Sequence, residues 1–428
     1  MSSSMEISDR LSELFRLASD KLFRPDTVQK TWIPLTDSQV NLLEKNGNRS
    51  SDWSKVRISP ETELYSVSDC RFEGNIRLAL LSLKNGNNIL IPQLRDSILQ
   101  DVEIQPGCRI VSVDLLQNLR IHEGVTIENC GRIAYSPGSM CGLGTDLELG
   151  VETGERKVRS FPFLDTDLAG ELSGGDRQRE NLAEYNLHLD GFLKKQKSRI
   201  VGIIERGSRI LDTSVVEDCF VGVNVSITNA CAVRNSTLLG GENEASTVSD
   251  GALVRDSILK WNAVVDSMAI VEQSIVGEAS TVEKHGKLTA SFLGPNSVLA
   301  EGEITASLAG PFTAAHHQSL LIAARWPEGK GNIGYGANVG SNHTSRLPDQ
   351  EIRPGEGMFF GLSCSIKFPC DFSRAPFSII ATGVTTLPQR VEFPFSLICE
   401  PFVRVSNIPP AFNQIMPAWV LSDNLFAV

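Results

Sequence analysis

A chain of 428 residues with a formal net charge of −11 has length for two or three ordinary domains. Its acidity excludes nucleic acid and an anionic membrane surface as principal partners, because both need clustered positive charge. No run approaches the roughly 18 apolar residues of a membrane span, and the start, Met1 to Glu6, has neither a basic nor an apolar leader region, so a soluble, cytoplasmic protein is expected.

The first segment, 1–60, reads as helix and loop. Ile7, Leu11, Leu14, Phe15 and Leu22 fall at helical spacing, with Ser8 or Asp9 available as a cap, and predict one amphipathic helix over 7–24 packed on the side or end of the main body. Lys45 to Ser51 is a turn-rich loop. Over 61–136 a six-residue rhythm begins: Ile98, Ile104, Ile110 and Leu116 form one series, and Leu115, Ile121, Ile127 and Ile133 another, one residue out of step. That slip implies a bulge or an altered corner. Between 137 and 199 the rhythm stops among glycines, and Asp176 to Lys197 reads as a helix with Leu182, Tyr185, Leu189 and Phe192 on one stripe. This predicts an excursion thrown out from one corner. Loop-closure cost grows only logarithmically with length, so the excursion need not interrupt the element it leaves.

The rhythm is strongest in 200–310. Val215, Val221, Ile227, Val233 and Leu239 keep one phase; Ile258, Val264, Ile270, Val276, Val282 and Leu288 keep another. Gly240 to Glu244, at the change of phase, predicts a protruding loop. A helix returns every 3.6 residues and a strand every two, so neither gives a period of six. A short strand followed by a corner does. Three such units make a triangular coil, and stacked coils share one thin core of inward aliphatic residues. Such a body lengthens without thickening, so 428 residues do not demand many domains. Of nine cysteines, none in a Cys-x-x-Cys pair, Cys219 and Cys231 fall where a hexad takes a small core residue, which suits a reducing compartment.

Ile333-Gly334-Tyr335-Gly336-Ala337-Asn338 and Val339-Gly340-Ser341-Asn342-His343-Thr344, with the openings Val221-Gly222 and Val276-Gly277, resemble the hexapeptide-repeat superfamily. The resemblance implies an all-β fold, a left-handed parallel β-helix, here carrying an N-terminal helix and an inserted helical excursion. The hand comes from the resemblance alone, since parallel crossovers are ordinarily right-handed. Ala309 to Ser319 also resembles a segment of a bacterial family of large uncharacterised hexapeptide proteins. Ala381-Thr382-Gly383-Val384, followed by Pro388 and Pro394, resembles the superfamily's closing coil, so 311–400 is expected to bear the site. The extension 401–428 ends on Leu425-Phe426-Ala427-Val428 and reads as truncated.

Most members of that superfamily are acyltransferases. In them a corner histidine takes a proton from the acceptor, which attacks an acyl thioester while backbone N–H groups hold the oxyanion. His343, fifth in its hexad, is the first expected base, with His316 or His317 second. For each the rival is a structural histidine. Asn342, Arg346, Arg353, Lys367 and Arg374 are expected to bind a sugar nucleotide or phosphosugar, or else to pair with Asp349, Glu351, Glu356 and Asp371. Acyl-CoA is the implied co-substrate, with no bound cofactor, and a homotrimer with its site between subunits is the implied assembly. Two other readings stand beside this one. One is a non-catalytic scaffold that binds a sugar or a protein partner. The other is a zinc enzyme of the γ-carbonic anhydrase type, from whose ligand spacing His316 and His343 depart. No Walker loop, Rossmann fingerprint or Gly-x-Ser-x-Gly elbow is present.

Overall fold

The computed structural model describes every residue except 1, 24–30, 87, 152–156, 175–176, 342–351, 368, 404, 409–411 and 424–428. The fold is a parallel β-solenoid with an N-terminal helix and an inserted helical excursion. Two compact units divide the chain: an amino unit of 10–143 and 188–262, and a carboxyl unit of 1–9, 144–187 and 263–428.

In the amino unit Ile204 stacks on Val221, Ile210 on Ile227 and Val216 on Val233, a return of 17 residues per coil. The return lengthens to 21 where Ile227, Val233 and Leu238 meet Val248, Val254 and Leu259. Gly240 to Glu244 supplies the extra residues, so the expected protruding loop is present. The excursion leaves the stack unbroken: Ile121, Ile127 and Ile133 pair in register with Ile204, Ile210 and Val216. Helix α1 (Ser2–Leu22) buries Leu11, Phe15, Ala18 and Leu22. Phe15 meets the Phe192 ring edge-on at 6.0 Å, so α1 packs on a second helix, α2 (Gln178–Lys197). Neither Ser8 nor Asp9 is the cap, because the helix starts six residues earlier. Cys219 is buried as expected, but Cys231 is exposed.

In the carboxyl unit the same 17-residue return joins Val265 to Val282, Val271 to Leu288 and Val276 to Leu293. Inward steps therefore run six, five, six. A strict period of six fails for this reason: Val264 is half-exposed and Ile270 is 38% exposed, while Val265 and Val271 beside them are fully buried. The short step falls at a corner built from one residue in the left-handed region, Gln273, Ala290, Ala306 or Ala323, followed at once by a small buried residue. Ser274, Ser291 and Ser307 fill that place. The Ser291 amide donates to Ser274 Oγ at 3.1 Å, Ser307 to Ser291 Oγ at 3.0 Å and Ala324 to Ser307 Oγ at 3.0 Å. A seryl ladder thus supplies acceptors that the turning backbone cannot.

The excursion is laid along the coils, not thrown clear of them. In the carboxyl unit the Glu148 and Gly150 amides donate to Ala290 and Ala306. A short helix α3 (Thr166–Ser173) ends against Arg325, whose Nη2 donates to the Gly170 carbonyl at 2.7 Å. Ile275, Phe292 and Leu308 are consequently buried although they point away from the core. In the amino unit Thr237 Oγ1 donates to Cys141 O at 2.7 Å and the Gly142 amide to Asn235 Oδ1 at 3.1 Å. Each unit also covers one strand edge with an antiparallel strand: Ile33–Pro34 on Val56–Ile58, and Gln414–Met416 on Leu397–Cys399. Unpaired edges invite association, and these two are closed.

Candidate functional site

One ladder of the carboxyl unit runs through the strands Val298–Ala300, Ala314–His316, Asn332–Ile333, Phe359–Phe360, Ile379–Ile380 and Leu397–Cys399. Side chains alternate along a strand, so Ala315, Ile333, Phe360, Ile380 and Ile398 fill the core. Ala314, Asn332, Phe359, Ile379 and Leu397 form an outward column of half-buried residues. Phe312, Lys330 and Phe377 wall this column at one corner, and Trp419 and Val420 of a short helix α4 (Trp419–Asp423) reach over it, leaving a groove of about 800 Å³. The Val420 amide donates to Phe395 O at 3.0 Å, and the Phe395 ring stacks on Phe377 at 5.5 Å. Gly357 has φ +65°, and a Cβ there would lie 2.3 Å from the Phe377 ring, so a glycine lets that wall close in.

The histidine pair stands beside this groove. His316 ends its strand pointing outward, and His317 and Gln318, both in the left-handed region, turn the corner. Glu301 occupies the equivalent corner one coil earlier, and its Oε2 lies 3.0 Å from His317 Nδ1. A carboxylate there holds the proton on Nδ1 and leaves Nε2 as the basic nitrogen. The His317 side chain is 61% exposed, so an acceptor can reach it. The His316 ring meets the His317 ring edge-on at 4.8 Å. Burial lowers the His316 pKa below its ordinary 6.5, the neighbouring His317 adds to this, and Asn332 and Glu301 oppose it. His316 Nδ1 and Asn332 Oδ1 are both buried and have no hydrogen-bond partner among the described residues.

His343, Asn342 and Arg346 lie outside the described residues. The strand Asn338–Ser341 that precedes them belongs to the next ladder, and Ile352–Arg353 that follows them to the third. His316 and His317 sit at the corner before Asn338–Ser341, not at the one after it. Lys367 pairs in register with Ser341, and Arg353 with Asp371, which puts both at that other corner. Arg374 stands at the third corner with Nη1 3.2 Å from Glu392 Oε1. The structure thus brings His316 and His317 together with Glu301 and Asn332, and does not bring Arg353, Lys367 or Arg374 to them. Glu356, expected beside those cations, pairs with Lys330. Among the described residues no three of His, Cys, Asp and Glu come together as metal ligands.

Comparison with known proteins adds a family. A family model described as Domain of unknown function (DUF4954) matches residues 32–415. An uncharacterized protein of Treponema pallidum (strain Nichols) is 23% identical over 414 residues, covering 93% of this chain and 56% of that protein. The chain therefore spans little more than half the length of the curated relative it matches. A solved structure from Desulfovibrio desulfuricans G20, described provisionally as an acetyltransferase, is similar at 8% identity over 92% of this chain and 79% of that one, with a TM-score of 0.14. A likeness that slight carries no argument about activity.

Proposed function

The chain belongs to the family described as Domain of unknown function (DUF4954), and from that premise we propose that it transfers an acyl group from a thioester donor, acyl-CoA, to a sugar nucleotide or phosphosugar. The Glu301–His317 pair carries the reading. His317 Nε2 takes the proton of an acceptor hydroxyl or amine, and the freed oxygen or nitrogen attacks the thioester carbonyl. The C–S bond then breaks and the thiolate departs with that proton. Base catalysis of this kind is worth about 10²–10⁴ in rate. The adjoining groove supports the reading by offering the donor an apolar bed. A homotrimer belongs to this proposal: one copy would bring the Arg353 and Lys367 corner to the histidines of another, which a single chain keeps apart.

A scaffold is the second reading, favoured by the ion pairing along the outer corners. Lys287 meets Glu303 at 3.4 Å and Arg374 meets Glu392 at 3.2 Å, contacts that tie coils together without any substrate. The two readings separate on thiol release. A panel of acyl-CoA thioesters is mixed with UDP-sugars and sugar phosphates, and free thiol is followed for the wild type and His317→Ala, with circular dichroism verifying the fold. Acceptor-dependent release that falls about 10²-fold or more in the variant is expected. No release with any pair, or equal release by both proteins, leaves the scaffold.

A further inference from the structure

His316 and His317 are held from opposite sides. Glu301, one coil before, lies 3.0 Å from His317 Nδ1. Asn332, one coil after, stands beside His316 as a hydrogen-bond acceptor that opposes the lowering of its pKa. Ala300 is the register partner of His316 one coil back, and Ile333 pairs with Ala315, which puts Gly334 opposite His316 one coil on. Neither small residue fills the space beside the ring, so it can lean toward Asn332. His316 Nδ1 and Asn332 Oδ1 are sealed from solvent and unpartnered among the described residues, and buried polar atoms are costly to leave so. The carboxamide oxygen can only accept, so the one pairing that satisfies both has Nδ1–H donating to Oδ1. With Nδ1 protonated on both rings, each Nε2 is left as a bare lone pair.

We propose that these two Nε2 lone pairs select an amine as the acyl acceptor, so that the transfer forms an amide. This deepens the transferase reading and rests on it. Two hydrogen-bond acceptors with no donor between them suit a group that carries two hydrogens on one atom. A hydroxyl brings one, a primary amine two. Hydrogen bonds of about 3 Å from one tetrahedral nitrogen reach acceptors about 5 Å apart, and the two ring centroids lie 4.8 Å apart. Burial, by lowering the His316 pKa, favours the neutral ring, so its Nε2 holds one N–H and helps aim the nitrogen lone pair. That lone pair attacks the thioester carbonyl, the N–C bond forms and the C–S bond breaks. The other N–H proton passes to His317 Nε2 and leaves on the thiol. His316 keeps the hydrogen that the amide retains, whereas an ester would leave its Nε2 without a donor.

Long-range proton–nitrogen NMR on protein with labelled histidine reads the tautomers directly, with His316→Gln and His317→Gln assigning the signals. Both rings should carry hydrogen on Nδ1. A His316 ring protonated on Nε2, as a carboxamide turned the other way would give, overturns the proposal. In calorimetry without donor, glucosamine 6-phosphate should bind roughly tenfold tighter than glucose 6-phosphate. Asn332→Leu should erase most of that preference and Asn332→Asp, which keeps an acceptor, should retain it, with circular dichroism verifying the fold. Equal affinity of the wild type for both sugars, or an unchanged preference in folded Asn332→Leu, overturns the proposal. If Asn332→Leu unfolds, the wild-type tautomers and the two sugars still decide. With acyl-CoA present, thiol release driven by glucose 6-phosphate as fast as by glucosamine 6-phosphate supports the transferase and overturns the amine. Both tautomers and the amine preference, without thiol release by any pair, support the two lone pairs as an amine site and remove the transferase.

Discussion

Glu301 and His317 occupy equivalent corners of successive coils, with Oε2 and Nδ1 3.0 Å apart. A corner repeats at every turn of a solenoid, so two residues one coil apart in sequence face each other with no tertiary adjustment. The rigid stack pre-orients the imidazole. Glu301→Gln keeps the shape but loses the charge that fixes the tautomer. Turnover should fall about 10²-fold, the usual cost of a small misplacement at a reacting centre, with KM for the donor unchanged. A Glu301→Gln variant that matches the wild type in thiol release would leave the carboxylate with no orienting role.

Stability should fall at both ends of the pH range, from different groups. His316 is held below its ordinary pKa by burial. Between 6.5 and that lower value the unfolded chain binds a proton the folded chain does not, so stability is lost as pH drops below about 6.5. Cys70, Cys108, Cys141 and Cys364 are pushed up to about 12 by burial. Here the unfolded thiols ionise first, and stability is lost as pH climbs from about 9 toward 12. Urea midpoints across pH should show both limbs, and His316→Asn should flatten only the acidic one. The same burial predicts that a thiol reagent titrates Cys231 fast in the native protein and the buried cysteines only after unfolding.

The 17-residue coil makes neighbouring residues unequal. Val271 points into the core and Ile270 toward solvent, so Val271→Asp places an unpaired charge among aliphatic side chains and should abolish folding. Ile270→Asp should cost under about 1 kcal/mol. Thermal melts of the two variants check the register, and the opposite order would put the coil out by one residue. Ser291→Ala leaves the Ser307 amide without its acceptor and should cost about 1–3 kcal/mol, visible as a lower melting temperature.

Much of this solenoid is legible in its aliphatic residues, and the short step is not. Its strands carry pairs such as Val264-Val265 and Ile270-Val271, and a period of six can settle on either member. The corners hold the better signal. Asp212, Asp218, Asn224, Asn229 and Asn235 all take the left-handed conformation, which these side chains tolerate better than most. Their spacing of six, six, five, six already contains the 17-residue return. His316 and His317 stand out by composition. Glu301 and Asn332 do not, because each lies 16 residues from its histidine, a separation that means contact only once the coil length is known. Phe377 and Trp419 are invisible as groove walls for a similar reason: a corner glycine and a short helix bring them in.

In the proposed transfer the donor covers His317. Diethyl pyrocarbonate acylates accessible imidazoles, and peptide mass spectrometry locates the adducts. His317 should be modified quickly in the free protein and protected by a saturating acyl-CoA donor, with loss of thiol release tracking its modification. Equal labelling of His317 with and without the thioester, or full activity after its modification, would contradict the account.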